Sequence, residues 1–435
     1  MKIVNWLNGI ILYPIFGIPF AVLLILGTSI FLFAYLRFIN FRGAKGIDEA
    51  ASGNISKFSA FMTAAAGTLG VGNIFGGAMC VTIAGPGSII WILILGVFGS
   101  IIKFSEVYLG HRFRSVKDGM VSGGSFFYLR DGFQRMGILR QIGVIYGIVF
   151  FIAYLAAGTF QINQIGDLIA ESVFIGHPRI NVIRLGLGIM VAIFTGFILF
   201  SGIVRIAEVL SRLVPTMILL YCVCAVYIFM RNFGNFEGVM RDVMIDAMRP
   251  RCSGGMIFML GYSLHRILFA SDTGTGVSAI ANSQSNASAL VQARFVSWEP
   301  ILVSLTMCIT GVCVLITNTH HLAASNGMLG VKIASHAFSG SFITQGIFIC
   351  VVCLFGLTTT ISHGYNVEQA WRFVMKGKGV MICRGVYIMT IIIVVTQDVG
   401  RILPIIDLSF FLCIILNIIG ILRLSGYMKR ETVGR

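Results

Sequence analysis

The run Thr63 to Pro86, TAAAGTLGVGNIFGGAMCVTIAGP, gathers Gly67, Gly70, Gly72, Gly76 and Gly77 around a single Asn73 in a segment long enough to cross a membrane. A helix in lipid must satisfy its own backbone polar groups, so such a density of helix-weakening glycine requires the opened backbone to face protein, ions or water. A second interruption, Phe269-Ala270-Ser271-Asp272-Thr273-Gly274-Thr275-Gly276, sets an acid at membrane depth, which is costly and points to function. Opened N–H groups donate to anions, and opened carbonyls with hydroxyls hold hard cations. The chemistry on offer is reversible binding of small polar species. Bond-making has no support, since neither HExxH nor GxSxG occurs and no Ser/His/Asp set has a persuasive local context.

The elements that must position these residues are membrane helices. The chain has 435 residues, 57% hydrophobic and 11% charged, against roughly 25% charged in soluble domains. Mean hydropathy is +0.91. Apolar runs of crossing length recur from end to end, and eleven spans are predicted: 12–36, 59–84, 87–110, 142–170, 183–204, 213–231, 254–283, 296–317, 341–370, 380–398 and 402–425. The formal charge of +15 does not indicate nucleic acid, because Lys and Arg sit in short clusters between apolar runs. Sorted by segment, most of the 32 fall on one side if the N-terminus is outside and the C-terminus cytoplasmic. The ten cysteines lie mostly in apolar runs without metal-type spacing and read as small buried hydrophobes. The first apolar run lacks a small-residue cleavage site and reads as a retained span. The polar connections near 111–141 and 232–253 are too short for a soluble domain, and GGSFFYLRDGF in the first suggests an interfacial segment.

The two interruptions are five spans apart, so the halves that carry them would insert with opposite orientation. Matched broken helices in two such halves indicate an inverted-repeat secondary transporter with its site near the midplane. Small residues at helical spacing also mark tight helix packing, but packing alone does not explain the pairing.

Several segments then resemble one family in order and spacing. Gly70-Val71-Gly72-Asn73-Ile74-Phe75-Gly76, Ala84-Gly85-Pro86-Gly87 with Trp91, Phe269 to Gly276, and Leu357-Thr358-Thr359 resemble motifs of the alanine or glycine:cation symporters, also called the sodium:alanine symporter family. The likeness runs over nearly the whole chain. It implies an all-α leucine-transporter-like fold of about eleven transmembrane helices, a 5+5 inverted repeat preceded by one extra helix. The expected parts are a leading helix and cytoplasmic loop (1–58), a first repeat (59–232), an outer loop (233–253), a second repeat (254–426) and a cytoplasmic tail (427–435). It further implies a multi-pass protein of a bacterial or archaeal plasma membrane that is not an enzyme. Its activity would be sodium-coupled symport of a small neutral amino acid such as alanine or glycine, with sodium as coupling ion and no other cofactor. Proton-coupled or cation-independent transport on the same scaffold is the alternative, and an ion channel a distant one. The chain departs from the family at Ser271-Asp272-Thr273, at Val277 to Ser283 and at Ser362-His363, all close to the expected pocket.

An amino acid zwitterion needs donors for its carboxylate and acceptors for its ammonium. Gly70, Gly72 and Asn73 are the expected donors, Ser271, Asp272 and the opened backbone at Gly274 the expected acceptors, Gln161 and Asn163 added contacts, and Phe269 the apolar wall. Carbonyls of Ala66 and Leu69 with the hydroxyls of Thr358 and Thr359 would hold sodium. Plainer roles stay open at this level: Asp272 tying its own broken backbone, Gln161 and Asn163 joining helices, the threonines bonding back to their helix. Arg266 is expected to snorkel outward or to pair with an acid such as Asp398 or Asp407, as a structural or gating pair rather than a ligand contact, and Lys103 is expected to pair with Glu106 as an interfacial ion pair. His363 reads equally as pocket or core, and His320 and His321 as solvated loop residues.

Overall fold

The computed structural model describes residues 14–15, 18–41, 53–117, 120–133, 141–174, 177–249, 252, 255–322, 330–397 and 399–432. In chain order the helices are α1 (Phe20–Tyr35), α2 (Lys57–Thr68), α3 (Val71–Met79), α4 (Ser88–Arg112), α5 (Ser125–Gly132), α6 (Ile142–Ser172), α7 (Ile180–Phe200) and α8 (Gly202–Arg231). There follow α9 (Phe236–Met248), α10 (Gly255–Ser271), α11 (Ser278–Asn282), α12 (Ala289–Val296), α13 (Glu299–Ile316), α14 (Val331–Ala337), α15 (Phe342–Val374), α16 (Val380–Val394) and α17 (Val399–Thr432). Among the described residues, 7 spans are long and apolar enough to cross a membrane, and 8 if the bent pair α2–α3 counts as one. The other predicted spans correspond to α1, α16 and the broken α10–α11, none of which is a full crossing as one continuous helix.

The first interruption is a true break. Ser56 caps α2, its Oγ accepting the Ser59 N–H at 3.1 Å. The helix runs to Thr68, Leu69 and Gly70 leave it, and the axis turns by 49° into α3. α3 ends in a wider turn, Cys80–Ala84, before Gly85 at φ +98°. The Pro86-Gly87 turn that follows is held from outside: Asp246 Oδ2 accepts the Gly87 N–H at 2.9 Å, and Trp91 Nε1 donates to Ala247 O at 3.1 Å. The expected outer loop 233–253 thus contains α9, which fastens the start of α4. The second interruption, between α10 and α11, turns through left-handed backbone at Asp272 (φ +49°), Gly274 (+88°) and Gly276 (+83°). Glycine tolerates such angles; Asp272 needs surroundings that hold it there.

Around these breaks, α6 packs along α15 and α17, and α13 along α3 and α4. One expectation about the connections changes. The segment GGSFFYLRDGF forms α5, with Phe126, Tyr128 and Leu129 buried against α6 and α17. Helix α8 begins at Gly202 rather than near 213, since Glu208 pairs with Arg205 (2.8 Å) and Arg212 (3.0 Å), the helical i,i+3 and i,i+4 partners that let a polar turn stay helical. All ten cysteines are free; six are buried, Cys222, Cys252 and Cys353 are half-buried, and Cys350 is exposed. His321 is exposed, while His320 is half-buried beside it.

Candidate functional site

The two breaks face one cavity. Gly70, Gly72 and Asn73 line it from the first break, Gln161 from α6, and Phe269 and Asp272 from the second. Thr68, His363, Arg266 and Asp407 also line it, with Phe75, Phe160 and Phe410 as aromatic walls. The ring of Phe269 stacks on that of Phe410 at 5.5 Å. Of the nine residues expected to touch substrate, Asn163, Ser271 and Gly274 lie outside this lining. Asn163 Nδ2 donates to the carbonyls of Gln397 (2.6 Å) and Val394 (3.2 Å), tying α6 to the end of α16. The Ser271 hydroxyl returns to Ile267 O at 2.7 Å on its own helix. The Gly274 carbonyl accepts from Asn417 Nδ2 at 2.8 Å.

At the first break, Gln161 Oε1 accepts the freed Val71 N–H at 3.0 Å. Gly70 is required there by contact: a Cβ would stand 2.8 Å from Thr359 Oγ1 and 3.1 Å from Gln161 Oε1. The Asn73 side chain is buried with neither amide atom hydrogen-bonded. A buried amide left unpaired costs free energy, so a ligand that supplies its partners binds with that cost removed. At the second break, Asp272 Oδ2 is likewise buried and unbonded, 3.8 Å from His363 Nε2. His363 sits edge-on to Tyr154 with centroids 5.0 Å apart, and neither ring nitrogen has a hydrogen-bond partner. Of its two open readings, the pocket is therefore where it stands.

Beside the cavity, oxygens from α2 and α15 converge. Thr359 Oγ1 lies 2.8 Å from Ala66 O and 3.5 Å from Leu69 O, besides bonding back to Phe355 O at 2.8 Å. Thr358 points elsewhere: its hydroxyl meets Leu354 O (2.9 Å), Phe355 O (3.1 Å) and Met217 Sδ (3.4 Å). Ser362, one turn on from Thr358, donates to Thr63 O at 2.8 Å and extends the oxygen-lined seam. No cluster of three His, Cys, Asp or Glu suited to a metal ion occurs among the described residues.

One charged pair differs from expectation. Lys103 and Glu106 are fully buried rather than interfacial. Lys103 turns to Glu299 at 3.4 Å, while Glu106 Oε1 accepts the Gly276 N–H and Asn417 Nδ2, each at 3.0 Å. Burial inside the bundle forces each charge to find partners on other helices. Arg266 shares the cavity with Asp407, and its guanidinium lies over the rings of Tyr262 (5.0 Å) and Phe75 (5.4 Å); Asp398 is outside the described residues. Sequence reasoning passed over Thr68, Ser278 and Glu299, which join Lys103. The available signal was a lysine in the middle of an apolar helix, which must meet a buried acid somewhere.

Two opposed broken helices around a shared cavity define a leucine-transporter-like membrane transporter. MhsT in complex with L-phenylalanine superposes with a TM-score of 0.63 at 15% identity, covering 87% of this chain and 90% of that one. A manganese transporter of Eremococcus coleocola gives 0.52 at 13%, covering 85% and 80%. The chain belongs to the sodium:alanine symporter family, whose model matches residues 1–433. It is thus a multi-pass membrane transporter and not an enzyme. It is similar to the sodium/alanine symporter AgcS of Methanococcus maripaludis, 27% identical over 95% of this chain and 93% of the relative. It is also similar to the probable sodium/glutamine symporter GlnT of Bacillus subtilis, 25% identical over 93% and 85%.

Proposed function

We propose that the protein is a secondary active transporter coupling sodium to the uptake of a small neutral amino acid, alanine or glycine first. The observation that carries this reading is the meeting of Gly70, Gly72, Asn73, Gln161 and Asp272 at one cavity, directly against the Thr359 oxygens. The substrate carboxylate is received by the first break and the Asn73 amide, and the ammonium by the Asp272 carboxylate. Phe269, Phe160 and Phe410 limit the side chain to a small one. Sodium sits among Ala66 O, Leu69 O and Thr359 Oγ1, and Thr358 stabilises its own helix. A cation bridging α2 and α15 favours whichever conformation keeps them together, so coupling is differential affinity between outward and inward states. With the N-terminus outside, Arg266 and Asp407 stand on the outer side of the substrate. The relatives named for alanine and for glutamine agree with a neutral amino acid.

A second reading, proton coupling, rests on the Asp272–His363 approach of 3.8 Å. The test is thermal stabilisation of purified protein by a panel of amino acids, with sodium or choline and at several pH values, because a ligand of the native state raises its stability. Stabilisation by alanine or glycine that requires sodium is expected. Stabilisation that ignores sodium and follows pH would replace the sodium reading with the proton one.

A further inference from the structure

Lys103 is the fully buried lysine of α4, and its surroundings hold more oxygen than an ion pair needs. Its Nζ lies 2.7 Å from Ser278 Oγ and 3.4 Å from Glu299 Oε1. Ser278 Oγ is 3.0 Å from each Glu299 oxygen, and Thr68 Oγ1 donates to Glu299 Oε1 at 2.8 Å. All four side chains are buried, with exposures of 0 to 1%. Thr68 closes α2 at the first break, Ser278 opens α11 after the second, and Glu299 begins α13, so three oxygen-bearing elements meet around one positive charge. Thr68 also lines the central cavity. One carboxylate with two hydroxyls is a donor set for a hard monovalent cation.

We propose that the Lys103 ammonium is a tethered cation, permanently filling a cage that would otherwise take an inorganic monovalent cation. The charge holds both breaks together without exchanging with solution. Coupling to a dissolved cation is thereby confined to the Thr359 side, and this last point alone rests on the sodium reading given above. Removing the ammonium leaves Glu299 as an uncompensated buried charge, a costly state that is relieved by an entering cation, by protonation or by collapse. The cage makes the first of these the outcome, because Ser278 Oγ and Glu299 Oε1 already face the vacated position and Thr68 braces that same carboxylate oxygen.

The test is the melting temperature of purified, amino-acid-free protein in sodium, potassium or choline chloride at equal ionic strength. Wild type is compared with Lys103→Ala, Lys103→Gln and the double variant Lys103→Ala/Glu299→Gln. The Lys103 variants should melt below wild type in choline and gain about 3 °C or more, saturably, in sodium or potassium beyond any gain of wild type. The double variant should lose that extra gain. A salt response equal to wild type in both Lys103 variants overturns the proposal, and so does failure of both to extract folded in any of the three salts. The readout is independent of transport. An extra gain in the variants with no sodium response in wild type would keep the cage and reject sodium coupling; the converse would do the opposite.

Discussion

At the first break, Asn73 keeps both amide atoms buried without partners, and the Val71 N–H is met by a single side chain, Gln161. At the second, the Gly276 N–H is held by Glu106, the Gly274 carbonyl by Asn417, the Thr275 carbonyl by Tyr146 and the Thr275 hydroxyl by Tyr154. Those partners come from α4, α17 and α6, so the second turn is fixed from three directions. Its strained Asp272, at φ +49°, is affordable because of that bracing, and its Oδ2 is left open beside His363. Both are interruptions of a membrane helix, yet one has its hydrogen bonds made in advance and the other holds them in reserve. On the proposed reading the braced break supplies shape and the unfinished one supplies affinity.

That contrast is broken most directly at Glu106. Its Oε1 serves the Gly276 N–H and Asn417 together, and Glu106→Ala strands both buried donors. At about 1–3 kcal/mol for each stranded group, the variant should lose on the order of 4 kcal/mol and melt well below wild type in a thermal scan without ligand. Asn73→Ala should do the reverse. Its amide has no partner to lose, so the ligand-free melting temperature should stay near that of wild type, while substrate affinity falls about 30-fold, the equivalent of about 2 kcal/mol. Titration of the stabilising amino acid measures this. An Asn73→Ala variant as unstable as Glu106→Ala would mean that the first break is braced too.

The same logic separates the two threonines of α15. Thr359→Ala removes the hydroxyl aimed at Ala66 O and should raise the half-saturating sodium concentration for uptake about 10-fold, roughly the value of one charge-assisted contact. Thr358→Ala removes a hydroxyl that bonds only to its own helix and meets Met217, and should change it less than about 2-fold. Equal effects would mean that sodium is held elsewhere.

How legible these features were depended on whether their signal was local. Glycine crowded about one Asn, and an acid flanked by glycines in an apolar run, mark a break by composition, and both breaks lie where the sequence places them. Which side chains face the cavity is a matter of rotation. Gln161 and Asn163 are two residues apart, about 200° around a helix, so only one can point inward; Gln161 does, and Asn163 ties α6 to the end of α16. Thr358 and Thr359 differ by about 100° and part company in the same way. Lys103 and Glu106, three apart, invite pairing, but their partners are set by packing: Glu299 is 196 residues from Lys103, and nothing local announces it. The bracing of the second break by Asn417, 143 residues from Gly274, is hidden for the same reason.

The mildest test lies within the first break, between two glycines that look alike in sequence. At Gly70 an added Cβ would press on Thr359 Oγ1 and Gln161 Oε1, whereas at Gly72 it would meet nothing within 4 Å. Gly72 lines the cavity, and on the proposed reading that open space is room for the ligand. Gly72→Ala should therefore fold with a melting temperature close to wild type and cost little in glycine uptake. A methyl placed where the substrate side chain turns should weaken alanine relative to glycine about threefold, on the order of 0.7 kcal/mol, below the 1–3 kcal/mol of a methylene in a fitted pocket because the wall can yield. Competition of alanine against labelled glycine reads this ratio directly. An unchanged ratio would mean that the substrate side chain reaches the aromatic wall of Phe160 and Phe269 without passing Gly72, the carboxylate staying at the unfinished break.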